Sequence, residues 1–279
     1  ICKISSDTSF IVIGAYLHDN EGTNTGTIYV FNKPTNGWND STDNLYESAI
    51  LSTSIISTES WNGHNLEISK DGSTIISIAS QEDTNQNDIS TPISNSGRVF
   101  LYKRPINNIW VNSDESAILD TSDESAGDQI GCKNGSASIS HDGNVIAIGA
   151  PNKENNKGKI YIWKSPTSGW SPGIYTETFD ISNNVIDSFN SYYGWNVQMN
   201  ENGTNILVGI PYEGNSSTYD SSIKSYNISW DTFDINNDSK INVSIPIIKQ
   251  VISDDASTIA FSDSSNNNIY VYSQTETNS

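Results

Sequence analysis

Ser140-His141-Asp142-Gly143 followed by Val145-Ile146-Ala147-Ile148-Gly149-Ala150-Pro151 and then Gly158-Lys159-Ile160-Tyr161-Ile162-Trp163 decides the fold, because degraded copies of this block run along the whole chain. Asp142-Gly143 signals a two-residue hairpin turn, since a primed turn needs positive φ that Asp or Asn and Gly tolerate. The continuous apolar run from Val145 predicts a central strand covered on both faces. Pro151 cannot donate to a ladder, so it belongs where that strand exits. Gly158 onward alternates, which predicts a further strand carrying Tyr161 and Trp163.

The copies are anchored on the small residue ending each apolar run: Gly14, Ala79, Gly149, Gly209 and Ser262. Their spacing of roughly 53 to 70 residues is that of a propeller blade or slightly more. In four copies the next strand leads to a tryptophan, Trp38, Trp110, Trp170 or Trp230. Two copies share five letters, Glu47-Ser48-Ala49-Ile50-Leu51 and Glu115-Ser116-Ala117-Ile118-Leu119, and Asp71-Gly72 and Asn202-Gly203 repeat the hairpin signal. The third copy shows four strands, at 136–140, 145–148, 159–163 and near 176–180.

A four-stranded sheet with two apolar faces cannot bury both alone, and sheets packed radially solve this. The expectation is therefore an all-β chain, a β-propeller of about five four-stranded blades, approximately 1-52, 53-121, 122-182, 183-247 and 248-272, with a polar tail at 273-279. A β-solenoid is the rival architecture, with coils that are usually shorter and more regular. The last blade lacks its outer strand, which residues upstream of Ile1 would have to supply.

Composition narrows the partners. The formal charge of -19 on 279 residues would repel nucleic acid and anionic membrane. No apolar run approaches bilayer-spanning length, so no membrane insertion is expected. An acidic surface fits salty or calcium-containing surroundings. Cys2 and Cys132 fall at non-equivalent offsets, so no disulfide between them is predicted. Sequons at Asn39, Asn134, Asn202, Asn215, Asn227, Asn237 and Asn242 arise readily in a chain so rich in Asn, Ser and Thr, and do not establish glycosylation.

In its Ser-x-Asp-Gly turn, Gly-Ala-Pro exit and Gly-x-Ile-Tyr-Ile-Trp strand the chain resembles FG-GAP-type repeat β-propeller proteins, most faithfully from Trp110 to Trp170. The fourth copy keeps Gly209-Ile210-Pro211, while Ser262 and Asp263 replace the exit in the fifth. The resemblance implies the fold and a surface or extracellular interaction role. It carries over no metal site, because the turns at Asp71, Asp142 and Asn202 are too short for the calcium loop of integrin-like members.

Two sets of residues are candidate sites. Asp234, Asn236 and Asp238 match the first, third and fifth positions of an EF-type calcium loop. Ser239 stands where Gly is wanted and Ile245 where a bidentate acid is wanted, so a solvated polar turn is the reading favoured over calcium, and no cofactor is expected. Loops between the second and third strands, at 16–25, 81–96, 152–157, 212–221 and 263–267, should share one rim and carry recognition. The longest contains Glu82, Asp83 and Asp88 as ligand-binding candidates, against the alternative of a solvated insertion. His18, His64 and His141 sit at unrelated offsets without zinc spacing. No nucleophile elbow is present, so no enzyme is expected. Trp38, Trp110, Trp170 and Trp230 could stack on sugars, but recurrence at one place in each repeat favours packing.

The function expected is a non-enzymatic extracellular or surface adhesion module that binds a protein or glycan through one rim. The alternatives are a structural subunit of a surface assembly, such as a cell-surface layer, filament or virion exterior contacting neighbouring subunits, and a glycan-active enzyme.

Overall fold

The computed structural model describes residues 1–19, 22–38, 46–55, 57–84, 92–105, 107–133, 135–182, 190–212, 221–231, 234–243, 247–263 and 268–273, with the backbone alone described at 234, 236–240, 242–243, 247–248 and 263. It is all-β apart from one short turn, in five successive sheets. The first comprises β1 (Cys2–Ile4), β2 (Phe10–Ala15), β3 (Thr27–Asn32) and β4 (Ala49–Leu51). The second holds β5 (Asn65–Ile68), β6 (Thr74–Ala79), β7 (Arg98–Lys103) and β8 (Ala117–Asp120), and the third holds β9 (Ala137–Ile139), β10 (Val145–Ala150) and β11 (Lys159–Lys164). β12 (Ile174–Thr176) joins the second sheet, and β13 (Phe179–Ser182) completes the third. The fourth contains β14 (Asn196–Met199), β15 (Asn205–Ile210), β16 (Ser221–Ser229) and β17 (Asp234–Val243); the fifth is β18 (Ile247–Ile252), β19 (Thr258–Asp263) and β20 (Ile269–Ser273).

Strand alternation builds the core between sheets. On β6, Ile75 faces a cluster with Val12, Ile28, Val30 and Leu51 of the first sheet, whereas Ile76 and Ile78 face Ala137, Ile146 and Ile148 of the third. β10 repeats this, with Ile146 and Ile148 on one face and Val145 and Ala147 against Val197 and Ile206 on the other. The continuous apolar runs are thus strands buried on both faces. The innermost strands of all five sheets, β1, β5, β9, β14 and β18, line one shared cavity of about 660 Å³, so the sheets are arranged radially.

The turn motif does something other than the hairpin signal suggested. Only Gly143 has positive φ (71°); Asp142 does not, and Gly143 N–H donates to Ser140 O at 3.1 Å. A primed turn needs positive φ at its first central position, which Asp142 lacks, so this is a wider connection held by side chains. Ser140 Oγ donates to Asp142 Oδ1 at 2.7 Å and accepts from Val145 N–H at 2.9 Å. Ser5-Asp7, Ser69-Asp71 and Ser253-Asp255 make the same contacts. Desolvation by burial opposes ionisation of Asp142, but donors from Ser140 and Asn144 outweigh it and keep the carboxyl below its ordinary value. The turn Asp is a structural acceptor.

Counting from these turns corrects the anchor in the second copy. Thr74 occupies the place of Val145 and Asn205, so Ile78, not Ala79, corresponds to Gly149 and Gly209. Gly14 and Gly149 lie against the backbones of Gly63 and Gly194 from the next sheet, where a Cβ would overlap a carbonyl oxygen. At the second junction the Ile78 side chain fills the equivalent space beside Gly131.

The outer edge is sewn by connections that reach backwards. β12 pairs in parallel with β8 of the preceding sheet, so the fourth strand of the third unit begins at Phe179, later than the sequence pattern suggested. Ser113 makes the matching parallel bridge to Leu51. Glu115 accepts Ser54 N–H at 2.7 Å, and Glu177 accepts Ser122 N–H at 2.9 Å. Glu115 and Glu177 therefore tie their connections back to the preceding unit. The tryptophans belong to the same end: Trp38 Nε1 donates to Thr8 O at 2.7 Å and Trp170 Nε1 to Gly143 O at 2.9 Å. Trp110 is buried, and Trp230 packs on Phe179 at 5.8 Å. They clamp hairpin turns and pack the sheets.

Candidate functional site

Antiparallel order puts the loops between second and third strands, and the junctions between units, at the end opposite those tryptophans. A repeated clasp fixes this rim. Trp61 and Asn62 N–H groups donate to Asn24 O and Thr25 O at 3.2 and 2.9 Å. Gln129 and Ile130 bond Asn95 O and Ser96 O at 3.1 and 3.0 Å, and Tyr192 and Tyr193 bond Asn156 O and Lys157 O at 2.8 and 3.0 Å. Each loop strand of the clasp has a left-handed Asn followed two residues later by a left-handed Gly: Asn24 and Gly26, Asn95 and Gly97, Asn156 and Gly158. These residue types adopt positive φ at least cost. The loops between second and third strands thus leave a hydrogen-bonded frame.

At the third clasp this rim opens into a cavity of about 880 Å³. One wall is aromatic: Tyr192 meets Trp195 edge-on at 5.7 Å and Tyr212 at 5.9 Å, and Lys133 Nζ lies 4.6 Å from the Trp195 ring centre. Ser125-Ala126-Gly127-Asp128 and the turn at Lys153–Asn156 also line it. Glu154, Asn155 and Asn156 have φ of 51°, 58° and 66°, three left-handed residues in succession. Left-handed backbone costs about 1–2 kcal/mol per residue, less for Asn, and persists only where surroundings impose it.

What imposes it is a polar floor. Lys153 Nζ, nearly fully buried, donates to Asp128 Oδ2 at 2.6 Å and to Asp123 O. Asp123 also accepts from Lys159 at 2.7 Å and from Tyr161 Oη at 2.6 Å. Desolvation raises Asp123, but these donors outweigh it and hold the carboxyl below its usual range; burial keeps Asp128 above it. Asn152 Nδ2 donates to Gln129 Oε1 at 2.7 Å, and Asn156 Nδ2 to Asn190 Oδ1 at 3.0 Å.

The residues singled out from sequence lie elsewhere. Glu82 is 2% exposed and accepts Ser57 N–H and Oγ at 3.2 and 2.9 Å, with its carboxyl raised by burial. Asp83 accepts Asn95 N–H at 2.8 Å. These two acids brace their loop; Asp88 lies outside the described residues. Asp234, Asn236 and Asp238 lie in β17, paired with β16, with a register shift at Ser225/Tyr226 near Asp238. The stretch is extended strand, not the polar turn expected, because Ile235 pairs with Ile228 and packs on the core. Among the described residues no group of three or more His, Cys, Asp or Glu could hold a metal ion. Cys2 and Cys132 are separate free thiols.

The sequence reading missed Lys133, Tyr192 and Trp195, whereas Tyr212 and the 152–156 stretch belong to loops it had placed on the rim. A signal existed: Trp61-Asn62-Gly63-His64 and Tyr192-Tyr193-Gly194-Trp195 share an aromatic-x-Gly-aromatic junction, and at the first of these Tyr16, Trp61 and His64 cluster at 5.3–5.8 Å.

Glu124 gives a measurable handle on this rim. It accepts Thr84 Oγ1 at 2.6 Å, and burial pushes its pKa from 4.5 up to about 7 against that donor. A raised folded-state pKa means stability is lost as pH rises from 4.5 through 7. Glu124→Gln should remove this loss and, after discounting for partial exposure, be about 1 kcal/mol more stable than the parent above the higher pKa. Urea midpoints at acid and alkaline pH would show whether the gain is confined to the alkaline side.

No protein-family model matches the chain, and no curated protein is similar to it in sequence. Solved structures are similar in fold. A protein from Lactobacillus plantarum aligns with TM-score 0.57 and 10% identity over 99% of this chain and 67% of its own. Kuenenia stuttgartiensis hydrazine synthase aligns with TM-score 0.53 and 12% identity over 98% and 70%. Prolyl oligopeptidase B from Galerina marginata gives 0.53 and 13% over 98% of this chain but only 34% of that one. At such identities the likeness speaks to fold and leaves activity open. The chain has a β-propeller-like fold.

Proposed function

We propose that this chain is a five-bladed, FG-GAP-type propeller that acts without catalysis as an extracellular or surface interaction module, binding a protein or glycan partner through one rim. The observation carrying this reading is the clasped rim at the third junction, where unlike loops held by like hydrogen bonds surround an aromatic and polar cavity. Rigid frames with variable loops are where recognition concentrates. Replacing residues 152–157 with a Gly-Ser segment of equal length should abolish capture of the chain on immobilised glycans or surface proteins. Unchanged capture would remove the reading.

A second reading, a structural subunit of a surface assembly, is favoured by the faces of the terminal sheets. Ile269 and Val271 are 75% and 63% exposed, and Ile11, Ile13, Tyr29 and Phe31 are only half-buried on the outer face of the first sheet. Exposed apolar faces of this kind mark contact surfaces. Concentration-dependent light scattering separates the readings, because an assembly subunit grows into larger particles while a rim-binding module does not.

A further inference from the structure

We infer that the rim cavity at the third clasp is a binding site for an uncharged saccharide, with Trp195 and Tyr212 as ring platforms; this rests on the rim reading above and names its ligand class.

The lining chemistry selects among ligands. A sugar presents C–H faces that pack on aromatic rings, and hydroxyls that both donate and accept. The cavity supplies both partners: half-exposed rings of Tyr192, Trp195 and Tyr212, and side-chain amides from residues such as Asn155 and Asn190. Asn amides donate and accept at once, as hydroxyl recognition requires. Asn190 spends its carbonyl oxygen on Asn156 Nδ2, which leaves its amino group as a donor for a ligand. A peptide anchor, by contrast, needs a desolvated apolar socket, and among the described residues Ala126 is the one aliphatic side chain in the lining.

Charge decides the rest. Among the described residues the lining carries two lysines and two acids, and Lys153 is already committed to Asp128. Lys133 lies over Trp195, where its ammonium interacts with the ring. The cavity therefore has no net positive charge, and the chain around it carries -19. An anionic sugar or phosphate would be repelled.

The frame is preorganised for such a ligand. Tyr192 belongs to the clasp itself, held at φ 51° by its N–H bond to Asn156 O. Little ordering then remains to be done on binding, which favours recognition of a small, weakly binding ring.

The test is titration of the whole chain with neutral oligosaccharides, among them gluco-, manno-, galacto-, xylo- and N-acetylglucosamine disaccharides, read by tryptophan fluorescence and saturation-transfer NMR. At least one should bind saturably, with affinity in the roughly millimolar to micromolar range. Trp195→Ala and, separately, the more exposed Tyr212→Ala should each weaken it at least about tenfold, with unchanged far-ultraviolet circular dichroism. Tyr212→Ala guards against a folding defect in the first variant. Saccharide binding that survives both substitutions but is lost on replacing residues 81–96 overturns the cavity assignment and leaves the rim reading standing. Failure of every saccharide, or Trp195-dependent binding of a peptide instead, overturns the saccharide assignment. Binding unaffected by any rim replacement overturns both.

Discussion

Gly158→Ala is expected to lower unfolding stability by about 3–5 kcal/mol, the sum of left-handed strain and a backbone overlap that cannot be relieved by a rotamer change. Gly158 sits at φ +86°, and a Cβ there would meet the Tyr193 backbone, with the nitrogen at 2.5 Å and the carbonyl oxygen closer still. The obstructing atoms belong to the clasp, so the third and fourth units must separate to admit a methyl group. Gly127→Ala is the control, because Gly127 has φ +80° with nothing within 4 Å of the added carbon. It should cost only the conformational part, about 1–2 kcal/mol. Urea unfolding of both variants measures the difference. Equal losses would mean that the close approach at the clasp contributes nothing.

Lys153→Met should destabilise by about 3–5 kcal/mol, since it strands a carboxylate that has been taken out of water. The Lys153 side chain is 4% exposed and that of Asp128 10%, and their 2.6 Å bond lies beneath the rim cavity. Desolvation already holds Asp128 above its ordinary value, and Lys153 opposes that shift. Without the lysine the folded-state pKa rises further, so the variant's deficit should shrink as pH falls and the carboxyl becomes neutral. Lys153→Met combined with Asp128→Leu should recover most of the loss, because an apolar pair of similar volume has no charge to solvate. A deficit that is independent of pH would assign the cost to packing instead.

Much of the scaffold was legible in the letters, and the reasons are local. Val145 to Ile148 and the stretch from Lys159 to Trp163 announced buried strands because alternation and burial are properties of a few adjacent residues. The Asp-Gly signal located the hairpins but not their geometry, since the decisive bond runs from Ser140 Oγ, two positions before the Asp. The one-residue slip at Ala79 arose because Ile78 carries a large side chain where three other copies keep glycine and the fifth has Ser262, so smallness misled as an anchor. β12 was hidden for a different reason: its partner Leu119 lies in the preceding unit.

The site was less legible than the scaffold. Glu82 and Asp83 looked like rim ligands because they are acidic residues in a long loop, yet both are consumed by backbone and hydroxyl donors. Trp195 and Tyr212 are separated in sequence, and each packs against Tyr192. The local hint was the aromatic-x-Gly-aromatic junction that ends at Trp195. The repeating tryptophans drew attention to the other end of the molecule, where Trp38 and Trp170 spend their indole N–H groups on turn carbonyls.

That separation of ends supplies the most direct measurement. The chain has 7 tryptophans, and their indole N–H resonances can be followed during titration with the saccharide that binds. Function on the clasped rim predicts that the Trp195 resonance moves saturably while those of Trp38 and Trp170 stay fixed. Movement of Trp38 or Trp170 with Trp195 unchanged would place recognition on the opposite end and contradict the account.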